Sequence, residues 1–132
     1  MIVTDTGISS RISYYMNSKR PQMLYTSNPL DQKIYQFMSG LYPNLTKTDI
    51  EVIPTDLTED NVFGWTLENN DQNEIEIHNN LRKRDYVTTL IHELVHVDQN
   101  VKGIFDDERR EREAYAVEGI LTNRFFQECD KV

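Results

Sequence analysis

The chain has 132 residues and a formal net charge of −8, from 14 basic and 22 acidic side chains, with 38% hydrophobic content. That is one globular domain's worth of chain, and its acidity argues against nucleic acid as a partner, since the only basic run is RKR at 82–84. No stretch approaches the apolar length of a membrane span. The segment MIVTDTGISSR has no basic region leading into an apolar run, and Cys129 is the only cysteine. A cytoplasmic, monomeric protein without membrane contact is expected.

In chain order, residues 1–45 form a helical N-terminal segment of unknown role, in which 8–18 read as a short helix or an arm. Asn28-Pro29 reads as a helix start, with Asn as the N-cap and Pro in the first turn. Leu30, Ile34, Phe37, Met38 and Leu41 follow at helical spacing until Gly40 and Pro43 close the segment. Three strand-like stretches come next: DIEVIP, ended by Pro54, then VFGWTLE and NEIEIH. Phe63, Trp65 and Leu67 alternate onto one face of the second, and Ile75 and Ile77 onto one face of the third. The turn-forming NNDQN between them predicts an antiparallel hairpin. Two helices finish the chain, over about 85–101 and 107–128, with Gly103 after the first and Asp106 or Asp107 capping the second. The expected fold is α+β in a single domain: N-terminal helix, three-stranded mostly antiparallel sheet, then two helices joined antiparallel by the short connection at 102–105.

The penultimate helix carries TTLIHELVHVDQN, residues 88–100, with two histidines four apart and a glutamate after the first. At roughly 100° per residue, Leu90, Leu94, Val97 and Val101 lie opposite His92, while His96 falls about 40° from it, with Asp85, Thr88, Thr89 and Gln99 in the same sector. Both histidines therefore sit away from the apolar face. Position alone fits a solvated polar face equally well; the chemistry favours a metal. Imidazoles at i and i+4 can grip one ion, and a glutamate at i+1 is placed to hold a water beside it. With three histidines in the chain, HExxH arises by chance in about one such sequence in 200.

Catalytic zinc takes three protein ligands and leaves a position open. A histidine six residues past His96 would complete the extended-histidine pattern, but Lys102 stands there. The remaining source is ERREREAYAVEGIL. Glu113 falls within about 80° of Ala116, Val117, Ile120 and Leu121, and a carboxylate in an apolar stripe should be paired or metal-bound. Glu113 is therefore the expected third ligand and Glu111 the alternative; Glu111 and Glu118 read as a solvated face. Glu108 suits the positive end of the helix dipole.

HELVH, a short turn at Gly103 and a helix with Glu113-Ala114 resemble the gluzincin metallopeptidases. IEIHNNLRKRDYVTTLIHELVHVDQN followed by EREAYA is similar to their small members, of ImmA/IrrE-type or SprT-like kind, over about residues 74–121. The resemblance implies a minimal zincin-like fold, zinc bound by His92, His96 and Glu113, and Glu93 as general base. The implied reaction is hydrolysis of a peptide bond in a protein or peptide substrate held in extended form. NEIEIH would form the rim of the cleft and offer its edge to the substrate. His78 and Tyr86 are candidates for oxyanion or substrate contacts, against the plainer readings of an exposed strand-end histidine and a first-turn packing residue. Thermolysin-type enzymes place an aspartate four residues after the glutamate ligand to orient the first histidine; Val117 stands there, which leaves the partner of His92 unassigned. A catalytically weak or inactive zincin-like binding or regulatory module is the alternative function. A deformylase would need an upstream cysteine ligand, and Cys129 lies downstream.

Overall fold

A computed structural model describes residues 23–69 and 72–130. The expected 8–18 helix or arm lies outside the described residues, as does the tip of the hairpin turn. The elements run β1 (Leu24–Tyr25), α1 (Pro29–Leu41), a 3₁₀ turn (Pro43–Lys47), β2 (Asp49–Thr55), a second 3₁₀ turn (Thr58–Asp60), β3 (Gly64–Asn69), β4 (Gln72–His78), α2 (Lys83–Lys102) and α3 (Asp107–Glu128). The class is α+β.

The sheet corrects the expectation of three mostly antiparallel strands. It has four, ordered β1-β2-β4-β3, with β1–β2 and β2–β4 parallel and only β3–β4 antiparallel. The hairpin forms as expected, Thr66 opposite Ile75 and Gly64 opposite Ile77. Because β4 is paired on both sides, its edge is closed; among the described residues the edge strands are β1 and β3, and β3 is the one beside β4. Pro54 lies inside β2 and does not end it. β1 pairs only with Ile50 and Glu51, so no ladder bond is asked of the missing Pro54 N–H on that side.

The helix ends follow from local chemistry. The Asn28 side chain accepts from the Leu30 N–H, and that of Asp106 from the Arg109 N–H. Gly103 closes α2 at φ 75°, a left-handed conformation that favours glycine. The Arg110 guanidinium then clamps the turn, donating to Asn100 Oδ1 and the Ile104 carbonyl, each at 2.8 Å. Side-chain contacts between Gln99 and Glu113, His92 and Glu118, and Thr88 and Thr122 show α2 and α3 running antiparallel.

Ile34, Met38, Leu45, Ile50, Ile75, Ile77, Leu90, Ile91, Leu94 and Phe125 form the core, fully buried between α1, the sheet and the two C-terminal helices. α2 lies at the centre and is buried from residue 89 through 100. Its apolar side meets this core, while β3 and α3 cover its polar side. Among the described residues, no helix is long and apolar enough to cross a membrane.

Candidate metal centre

α2 and β3 approach closely because residue 64 has no side chain. A Cβ there would stand 2.8 Å from Thr89 Cγ2 and 2.9 Å from the Glu76 carbonyl oxygen. Both distances are below any real carbon contact. Gly64→Ala should therefore push β3 off α2 and cost about 1–3 kcal/mol, as overpacking of a well-filled site typically does. At Gly119, on α3, an added methyl meets nothing within 4 Å. Gly119→Ala should stabilise by up to about 1 kcal/mol, since glycine is a poor interior helix residue. Denaturant midpoints of the two variants moving in opposite directions would verify the close approach; equal shifts would refute it.

The face of β3 that Gly64 shares with Thr66 lies on the same side of the sheet as Ile75 and Ile77, towards α2. Thr66 Oγ1 donates to Glu93 Oε1 at 2.7 Å. Trp65 and Leu67 occupy the other face, where the Trp65 indole donates to Glu76; Phe63 is exposed. Glu93 is only 5% exposed. Burial pushes its carboxyl pKa up, opposed by the Thr66 hydrogen bond and the two neighbouring histidines.

His92 and His96 point their Nε2 atoms at each other across 3.1 Å. Glu111 completes the group, Oε1 lying 3.0 Å from His92 Nε2 and Oε2 3.0 Å from His96 Nε2. One ligand atom from each of the three residues lies within 4.8 Å of the others. The outer hydrogen bonds decide what these atoms are. The Gln99 amide nitrogen donates to the Arg110 carbonyl and to Glu113 Oε1, so its oxygen is the end turned to His96 Nδ1, 2.8 Å away. His96 Nδ1 must therefore be the donor. His92 Nδ1 likewise faces a carboxylate, Glu118 Oε1, at 2.7 Å. In neutral imidazoles with protons so placed, both Nε2 atoms are bare acceptors. Where both rings are neutral, two lone pairs and a carboxylate thus converge, an arrangement that can hold a cation.

The ligand assignment differs from the sequence expectation. Glu113 is not in the group; its carboxylate is held by Gln99 and Arg109. Its pKa is lowered chiefly by the Arg109 hydrogen bond. Ala116 and Ile120, which made its surroundings look apolar, are exposed. The stripe of α3 that packs inward is Ala114, Leu121 and Phe125, and Glu111 and Glu118 flank it on the side of α2. Glu118 supplies the carboxylate for His92 that Val117 could not. His78 and Tyr86, expected as oxyanion or substrate contacts, lie away from this group. His78 Nδ1 accepts from the Leu57 N–H and Tyr86 donates to the buried Asp31 at 2.7 Å, and both line a separate cavity of about 210 Å³. Thr66, Gln99, Glu118 and Tyr115 were not singled out from sequence. Of these only Gln99 left a local signal, its place in the histidine sector of α2.

The whole group opens into a cleft of about 760 Å³ between β3, α2 and α3. Asp85, Asp107, Glu111 and Glu118 make its lining acidic, with Arg110 the one arginine or lysine there among the described residues. Glu111 has half its side chain in solvent, on the open side. No protein-family model, curated protein or solved structure matches this chain.

Proposed function

We propose that the cleft is the active site of a zinc-dependent peptidase. The observation that carries the reading is the convergence of two imidazole Nε2 atoms and one carboxylate beside a buried glutamate in an open cleft. His92, His96 and Glu111 would hold the ion, a donor set of the kind used by catalytic zinc, with a side left open. Bound there, zinc would polarise the scissile carbonyl and lower the pKa of water toward neutrality.

The chain's own residues account for the rest. Glu93 takes a proton from the attacking water and delivers it to the departing amine nitrogen. Its burial suits that shuttle by bringing its pKa closer to neutrality, while Thr66 fixes the carboxylate from one side. Glu118 and Gln99 orient the histidines and keep the Nδ1 protons in place.

The substrate is a protein segment in extended form. Among the described residues β3 is the sheet edge at the cleft, so its backbone groups can pair with such a segment, a role expected earlier of β4. The acidic lining favours basic residues near the cleaved bond. The alternative of an inactive binding module drew its support from the lack of an orienting carboxylate for His92, and Glu118 removes that ground.

The test is metal content and cleavage together. Purified protein dialysed against zinc should retain one equivalent per chain and cleave members of a broad peptide library. A chelator should abolish cleavage and added zinc restore it. Retention of no metal rejects the site; one equivalent of zinc without cleavage of any peptide rejects the peptidase reading and leaves the binding module.

A further inference from the structure

Tyr115 stands one turn after Glu111 and nearly one turn before Glu118, so the three side chains share a stripe of α3 that faces α2. Its ring packs edge-on against the His92 ring, with centroids 4.8 Å apart at 64°. The residue is nevertheless 65% exposed and lines the cleft. An aromatic side chain anchored on a metal-site imidazole, with its polar end free, is poised toward whatever occupies the cleft.

Arg110 has its Nη1 bound to Asn100 and the Ile104 carbonyl, and the Trp65 indole turns to the other face of the sheet, onto Glu76. The Thr66 hydroxyl holds Glu93. Among the described residues the Tyr115 hydroxyl makes no hydrogen bond. Peptide hydrolysis develops negative charge on the carbonyl oxygen, and a fixed donor there lowers the barrier more than it strengthens ground-state binding.

We propose that Tyr115 is a catalytic residue, the hydrogen-bond donor to the carbonyl oxygen of the scissile peptide. The inference rests on the peptidase reading. As the water oxygen bonds to the carbonyl carbon, the C=O π electrons move onto oxygen, which accepts the Tyr115 O–H. The water's proton goes to Glu93 Oε. When the C–N bond breaks, its electron pair leaves with nitrogen, which takes the proton from Glu93 while the C=O bond reforms. Tyr115 keeps its own proton throughout.

The test compares wild type, Tyr115→Phe and Glu93→Gln, each loaded with zinc, on a peptide that the wild type cleaves. Phenylalanine preserves the ring contact with His92, so zinc content should not change. Tyr115→Phe should lower kcat on the order of 10²–10³-fold, the loss typical of removing one oxyanion donor, with KM within about twofold. An unchanged kcat, with or without a rise in KM, overturns the proposal while leaving the peptidase reading intact. So does loss of zinc from Tyr115→Phe, which would make the residue a support of the metal centre. Failure of the reading shows elsewhere: no cleavage by the wild type, or equal cleavage by Glu93→Gln, overturns both.

Discussion

Replacing Glu93 with Gln should abolish peptide cleavage while zinc stays bound. The amide has nearly the shape of the carboxylate, and its oxygen can still accept the Thr66 hydrogen bond that now spans 2.7 Å. What it lacks is basicity, so it cannot take a proton from water. The expected loss is at least the roughly 10²–10⁴-fold that a general base contributes. Because Glu93 is nearly fully buried, the neutral amide should also leave stability unchanged or raise it, since an ionised carboxylate is the costlier group to bury. Activity and stability would then move in opposite directions, which misfolding cannot produce. Cleavage by Glu93→Gln at the wild-type rate would assign the activity to a contaminating protease.

Features set by residues within a turn or two of each other were legible in the sequence. The Asn28 and Asp106 caps, the Gly103 stop, the β3–β4 alternation and the two histidines on one face of α2 all depend on short-range geometry. Features set by long-range pairing were not. β1 has two residues, too few to show a period, and its parallel partner lies across a helical crossover. The identity of the sheet edge depends on strand order, which alternation does not encode; hence β4, expected to offer an edge, is paired on both sides and β3 stands at the edge beside it. Thr66 meets Glu93 across 27 positions, and nothing near Thr66 announces it. The glutamate of α3 that lies beside the histidines was missed for a related reason. Helical spacing shows which residues share a face but not which face turns inward. Ala116 and Ile120 beside Glu113 outweighed Phe125, whose full burial against Phe37 sets the actual rotation of the helix.

That rotation yields a sharp separation among the three glutamates of α3. With zinc held as proposed, Glu111→Ala would remove a direct ligand and should weaken zinc binding well beyond the roughly 10–100-fold that loss of an outer partner costs. Glu118→Ala removes only the acceptor of the His92 Nδ1 proton and should fall within that range, with Glu118→Gln partly restoring affinity because its amide oxygen still accepts. Glu113→Ala acts at one further remove, through Gln99 and then His96, and should change affinity less than Glu118→Ala. Each can be measured by competition with a chromophoric chelator at fixed pH, and thermal unfolding without metal separates folding damage from ligand loss. The order Glu111, Glu118, Glu113 follows the hydrogen-bond chain: Glu111 at the two Nε2 atoms, Glu118 on His92 Nδ1, Glu113 behind Gln99. If Glu113→Ala instead lost zinc and Glu111→Ala kept it, α3 would have to turn by nearly half a revolution, about 160° the shorter way round, to bring that carboxylate to the histidines. Phe125, Leu121 and Ala114 would leave the core in doing so. Zinc affinity across this series is thus also a measurement of how α3 packs.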